Sequence, residues 1–154
     1  MKIWVDADAC PNPVKEIVSL AAARRKVEAV FVANQPIQLY ESPYLKFKLV
    51  GGALDAADEY IHQESEPGDL AITADIPLAK NLVDGRLTVI DHRGTLFCED
   101  NINEVLATRD LMTDLRDQGE VSSGGRPYSQ KDKRLFASAF DRELTRLISK
   151  EGRK

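Results

Sequence analysis

Lys2-Ile3-Trp4-Val5-Asp6-Ala7-Asp8 is the stretch whose reading decides the fold. After the lysine it is a short run of apolar, β-favouring residues, broken at once by two carboxylates. Asn12-Pro13 then opens a helix, with Asn in a favoured capping position and Pro where the first turn tolerates it. Val14, Ile17, Val18 and Ala21 recur at helical spacing, which carries this helix to about residue 25. A strand that feeds directly into a helix is the first half of a βαβ unit.

The rest of the chain repeats that alternation. Residues 27–33 read as a buried strand, 34–43 as a polar loop with two prolines, and 47–50 as a third strand. Gly51-Gly52 breaks the chain before a helix over 54–63. Pro67-Gly68 turns into a strand over 70–74, followed by a helix over 76–83 and a strand over 87–90. His92-Arg93-Gly94 is a tight turn into 95–98, and Asn101 or Asn103 caps a long helix reaching 118. Residues 119–129, with Ser122-Ser123-Gly124-Gly125, form a flexible linker. The last helix covers 130–149, with Phe136, Phe140, Leu144, Leu147 and Ile148 on one face. Strands alternating with helices predict an α/β three-layer sandwich, a mostly parallel sheet covered on both faces, as one domain with a C-terminal helical extension.

Composition bounds the function classes. At 154 residues with 43% hydrophobic and 30% charged residues, the chain is long enough to bury a core without disulfide or metal staples. No apolar run approaches the roughly 20 residues of a membrane span, and the N-terminus lacks a signal-peptide pattern. Cys10 and Cys98 stand far apart, which favours free thiols in a reducing cytoplasm. The net charge of −4 is divided: residues 126–154 hold 9 Lys+Arg against 4 Asp+Glu, and residues 1–125 hold 12 against 21. An acidic body with a basic C-terminal segment suits a metal site beside a surface that holds a polyanion.

The carboxylates fall where an α/β sheet places ligands, beyond the C-terminal ends of its strands. Asp6 and Asp8 follow the first strand, Asp75 follows Ile72-Thr73-Ala74, and Asp91 follows the strand over 87–90. Each alone suits a helix cap. Together at neighbouring strand ends they repel, and a hard cation such as Mg²⁺ or Mn²⁺ relieves that repulsion. Asp55, Asp58, Glu59 and His62 share one face of the next helix, opposite Leu54, Ala57 and Ile61; His62 reads as a surface residue. Arg109 falls within the apolar stripe Ile102, Val105, Leu106 and Met112, where a guanidinium needs a carboxylate or a phosphate. Arg126, next to the glycine pair, stands where backbone N–H groups could cradle phosphate.

Longer motifs carry a resemblance. Val5-Asp6-Ala7-Asp8-Ala9-Cys10-Pro11, Val32-Ala33-Asn34-Gln35, Asp55-Ala56-Ala57-Asp58 and Ile72-Thr73-Ala74-Asp75-Ile76-Pro77-Leu78-Ala79 resemble the bacterial YaiI/YqxD family. Arg109-Asp110, Gly124-Gly125-Arg126-Pro127 and Ser129-Gln130-Lys131-Asp132-Lys133-Arg134 continue the match over nearly the whole chain. That family is in turn similar in pattern to PIN-like nuclease domains. The resemblance implies Asp6, Asp75 and Asp58 or Asp55 as metal ligands, supported by Asp8 and Asp91. Two departures stand out: Asp8 beside Asp6, and the added basic C-terminal helix.

The expected function is Mg²⁺- or Mn²⁺-dependent hydrolysis of phosphodiester bonds in RNA, with Asp6, Asp75, Asp58 and Asp8 as catalytic candidates. Arg109, Arg126, Lys131 and Arg134 are the candidates for the nucleic-acid backbone. Two rivals remain. Val5-Asp6-Ala7-Asp8 also fits a haloacid-dehalogenase-type phosphatase with Asp6 as nucleophile, and a nucleic-acid-binding module without catalysis needs no carboxylates at all. The oligomeric state, a homodimer included, stays open.

Overall fold

In the computed structural model, residues 1–8, 10–39, 41–52, 56–117 and 127–151 are described, the side chains of 113–117 excepted. The β-favouring run becomes β1 (Ile3–Asp6), followed by α1 (Asn12–Arg25), β2 (Ala29–Ala33), β3 (Leu45–Leu49) and α2 (Ala56–Glu64). The second half comprises β4 (Leu70–Ile72), α3 (Ile76–Asp84), β5 (Thr88–Ile90), β6 (Leu96–Phe97), α4 (Ile102–Asp117) and α5 (Gln130–Glu151). The expected α/β alternation is present, with boundaries displaced by a few residues.

The six strands form one sheet in the order β3-β2-β1-β4-β5-β6. Every pairing is parallel except β5 with β6. Side-chain alternation along the strands divides the interior into two cores. Ile3, Val5, Phe31, Ile72 and Ile90 face the layer built by α1 and α5. Trp4, Val30, Val32, Ala71 and Val89 face α2, α3 and the first turns of α4. The chain is therefore a three-layer sandwich, and α5 is half of one layer. Its Phe136 and Phe140 are fully buried and stack with centroids 5.5 Å apart. Each such aromatic contributes on the order of 2 kcal/mol through burial.

Two local expectations change. The first helix starts from Pro11 rather than from an Asn12 cap, and no side chain caps it. The Pro11 carbonyl already accepts from Val14 and Lys15 N–H, so helical bonding begins one residue early. The apolar stripe of α4 is buried only at its start: Ile102 is buried and Val105 packs against the core. Leu111 and Met112, further along, are 58% and 38% exposed.

The start of the sheet hangs on one buried carboxylate. Asp69, only 5% exposed, accepts from Lys2 N–H at 2.9 Å, from Trp4 Nε1 at 3.0 Å and from Glu66 N–H at 2.9 Å. It ties β1 to the turn that launches β4. Asp69→Ala strands three donors, one of them the buried indole, and is expected to cost about 3 kcal/mol, read as a lower urea midpoint. Asp69→Asn keeps one acceptor oxygen and is expected to cost less; equal losses would mean that packing, not hydrogen bonding, dominates there.

Candidate functional site

β1 leads towards β2 and β3 on one side, while β4, β5 and β6 lie on the other. The strand order thus reverses between β1 and β4, and the crevice beyond their C-terminal ends is where a ligand gains access to the sheet. The register sets Val5 beside Ile72, so Asp6 and Thr73 are the next neighbours across it. Thr73, itself buried, donates its hydroxyl to Asp6 Oδ2 at 3.0 Å and accepts from Asp75 N–H at 3.0 Å. One threonine therefore fixes both the strand-end carboxylate and the backbone that carries the other.

Asp75 is the N-cap of α3, its Oδ1 accepting from Leu78 N–H at 2.9 Å. Its second oxygen makes no hydrogen bond to the described residues, so capping and a role in the crevice are compatible. Asp8 is different. It does not cap α1; both its oxygens accept from Asn34 N–H, at 2.9 and 3.1 Å, which pins the loop after β2 to the loop after β1. These groups, with Asp58 on α2, line a cleft of about 380 Å³ whose walls also include Cys10, Asn34, Ala74 and His92. Among the described residues, no Lys or Arg lines it.

The electrostatics follow from that placement. Burial raises the Asp6 pKa above the ordinary carboxylate value, and the negative charges of Asp75 and Asp8 raise it further; the Thr73 hydrogen bond opposes them. Burial also pushes the Cys10 thiol up to about 12, so it is a protonated wall residue rather than a thiolate nucleophile. His92 is held below the usual imidazole range, chiefly by burial. Its ring meets Tyr128 edge-on at 5.9 Å. The turn that presents it is anchored by the next residue, since Arg93 Nη1 reaches the fully buried Asp132 at 2.6 Å. Gly94 completes the anchor: at φ +90° its missing Cβ would lie 2.6 Å from the Leu135 carbonyl oxygen of α5.

Of the expected site residues, Asp6, Asp8, Asp58 and Asp75 come together. Asp91 does not line the cleft; its Oδ1 accepts from Arg93 and Thr95 N–H and shapes the β5–β6 turn. Asp55 and Arg126 lie outside the described residues, as does most of the expected linker. Lys131 and Arg134 are exposed on α5 and are not among the residues that line the cleft. Arg109 is an exposed residue of α4, within 3.1 Å of Asp110, and not a buried cation in an apolar stripe. It nevertheless lines a second cavity beside the cleft, together with Asp58 and Asp75. Thr73, Asn34, Cys10 and His92 were not singled out from the sequence. Each sits within four residues of a strand end, which is the signal that marks them.

The chain is thus an α/β domain with an acidic crevice at the switch point of a mostly parallel sheet. Residues 4–146 match the family described as "Uncharacterized BCR, YaiI/YqxD family", and the chain belongs to that family. It is 50% identical over 151 residues to a UPF0178 protein of Myxococcus xanthus, covering 98% of this chain and 99% of that one. A UPF0178 protein of Syntrophobacter fumaroxidans is 46% identical over 152 residues, 99% of each chain. One of Desulfotalea psychrophila is 50% identical over 147 residues, 96% of this chain and 99% of its own. No solved structure matches the chain. Among the described residues, no helix is long and apolar enough to cross a membrane.

The raised Asp6 pKa has a signed consequence for stability. Asp6 binds its proton more tightly folded than unfolded, so its favourable contribution is full below the ordinary carboxylate pKa and is lost as pH rises through the folded value. Asp6→Asn, which keeps an oxygen for Thr73, is therefore expected to melt above wild type at pH 7.5. The gap should close as pH falls below about 4. A variant that melts below wild type at neutral pH would contradict the unfavourable burial of this charge.

Proposed function

We propose that the protein is a metal-dependent phosphodiesterase acting on RNA, with Mg²⁺ or Mn²⁺ held at the acidic crevice. The observation that carries this reading is Asp6, a largely buried carboxylate facing the negative charges of Asp75 and Asp8, with no basic residue among the described residues of the lining. Such an arrangement is costly for the apoprotein and favourable once a cation is present. The same carboxylate pattern underlies the likeness to PIN-like nuclease domains.

The donors suit a hard ion. Asp6, Asp75 and Asp58 supply oxygen only, and the thiol of Cys10 stays protonated. Among the described residues, no three His, Cys, Asp or Glu side chains close into a ready-made cage. Mg²⁺ is commonly held by one or two carboxylates, with water and substrate phosphate completing the shell. Asp6 and Asp75, tied together through Thr73, are the residues that would hold it, with Asp58 of α2 in the same lining. When bound, the ion would lower the pKa of a water and offset charge on the scissile phosphate. Thr73 keeps Asp6 oriented, and Asp8 braces the rim through Asn34. His92, its imidazole held below the usual range chiefly by burial, is part of the wall of the cleft.

Asp8 bears on the phosphatase alternative. That chemistry asks the second Asp of Asp6-Ala7-Asp8 to give up a proton, whereas both oxygens of Asp8 act as acceptors for one backbone N–H. Those bonds hold the Asp8 carboxylate against the loop after β2, which supports a bracing role for it and, with it, the phosphodiesterase reading over a phospho-aspartate route.

The test is hydrolysis of single-stranded RNA with millimolar Mn²⁺ by wild type, Asp6→Asn and Asp75→Asn. Both variants are expected to lose at least about a hundredfold in kcat while remaining folded, since Asn preserves the Thr73 contact and the α3 cap. Mn²⁺ is expected to raise the Tm of wild type more than that of Asp6→Asn. Equal activity in wild type and Asp6→Asn would remove Asp6 from the mechanism. Salt-sensitive RNA binding that survives both substitutions, without cleavage, would favour a binding module.

A further inference from the structure

Four polar side chains on one helix face stand over an open groove. Asn12, Lys15, Glu16 and Ser19 fall at i, i+3, i+4 and i+7 along α1, so they share one face. Opposite them runs the loop after β2, where Ile37, Gln38 and Leu39 complete the lining of a groove of about 730 Å³. That volume lies in the range of small-molecule sites. Ile37 and Leu39 pack against the core from the loop side, and Asp8 holds the start of the same loop through Asn34 N–H. The loop wall is thereby fixed at two points.

The polar groups of the lining divide into spent and unspent. Ser19, buried, donates its hydroxyl to the Lys15 carbonyl oxygen at 2.7 Å. Among the described residues, the side chains of Asn12, Lys15, Glu16 and Gln38 have neither a hydrogen bond nor an ion pair. Lys15 and Glu16 are consecutive in the helix, so they do not face each other; they bring one positive and one negative end to the groove. A lone phosphate or a lone cation therefore meets an opposing charge there. The complement of this lining is a group with donors and acceptors side by side along one edge and an apolar face across it.

A purine base has that form, and the carboxylate selects which purine. Of the four RNA bases, guanine alone sets two donors next to each other, N1–H and the N2 amine, where one carboxylate accepts from both. Its O6 and N7 are acceptors for an ammonium or a carboxamide. Adenine offers a single amine on that edge and turns the N1 lone pair towards the carboxylate. Cytosine and uracil each offer one donor site, flanked by acceptors, and a smaller apolar face.

We propose that this groove is a binding site for a guanine base, with Glu16 accepting from N1–H and the N2 amine. Lys15 and the carboxamides of Asn12 and Gln38 face O6 and N7, and Ile37 and Leu39 lie against the ring. A free guanine nucleotide and a guanosine within a nucleic-acid chain carry the same edge, so either source satisfies the groove. None of the groove's lining residues lines the carboxylate crevice, and its occupation requires neither a metal nor hydrolysis.

The full chain in EDTA is titrated with GMP, IMP, AMP and CMP, and with pentauridylates carrying a central guanosine or a central adenosine, while backbone amide shifts are followed by NMR. GMP is expected to bind at least about tenfold more tightly than AMP or CMP, the loss that follows when one charged hydrogen bond goes unmade. IMP, which lacks the N2 amine, is expected to fall between. The amides that move are expected to be those of residues 12–19 and 37–39. Glu16→Gln, a change at an exposed position, is expected to weaken GMP binding about tenfold and to leave AMP binding as it is. Tighter binding of the guanosine pentanucleotide than of GMP assigns the groove to a residue within a chain, and the reverse assigns it to a free nucleotide. Equal affinity for the four nucleotides, or no binding of any, overturns the guanine site. So does a preference for GMP that Glu16→Gln leaves intact, or one whose shifts map to the carboxylate crevice. Hydrolysis plays no part in these titrations, so loss of the guanine site leaves the phosphodiesterase reading standing, and the converse holds.

Discussion

The parallel pairing of β1 with β4 is the constraint on which the rest of the molecule depends. It places two strands that are distant in sequence side by side at the centre of the sheet, in a register that makes Asp6 and Thr73 neighbours. Because strand order runs outward in both directions from this pair, the helices after β1 and β4 lie on opposite faces, and a crevice opens between them. Both strands are buried on both faces, so a register slip would turn their apolar residues out of the two cores. Asp69 guards the opposite end of the same pair by bonding the backbone of Lys2 and the indole of Trp4. The site inherits its geometry from that pairing.

What the pairing brings together is electrostatically unfavourable. Asp6, Asp8, Asp58 and Asp75 share a cleft that no basic side chain lines among the described residues, and burial of Asp6 adds to the repulsion. Folding tolerates this because the remainder of the sheet supplies the stability. Thr73, the α3 cap and the Asn34 N–H each satisfy part of a carboxylate. The basic residues lie elsewhere, some spent on structure: Arg93 bonds the buried Asp132, while Arg146 bonds Glu143. A positive C-terminal helix in the sequence is therefore, in part, the counter-charge of the fold itself.

The α/β alternation, the strand carrying Asp6 and the carboxylates at strand ends were legible in the residues. Periodicity and propensity act over a few neighbours, so Trp4-Val5 reads as strand and Phe136-Phe140-Leu144 as a helix face without knowledge of the fold. The same local reasoning misplaced Arg109. Its helical spacing fits an apolar stripe, but among the described side chains of α4 it is Ile102 and Val105 that pack against the core, whereas Leu111 and Met112 further along are exposed. Asp8, which alone suited a helix cap and with its neighbours a metal site, has its partner in Asn34, 26 residues away.

Sequence by itself determined the element types, the strand-end carboxylates and the family, because these depend on short-range pattern and on long matching motifs. Only the tertiary structure decided which carboxylates share a cleft, that Thr73 orders two of them, that Asp91 serves its own turn, and that Arg109 is exposed. The physical reason is the strand order. Which strand lies beside which is a global packing outcome of two buried faces, and a side chain's partners across a sheet are fixed by that outcome rather than by its neighbours in the chain.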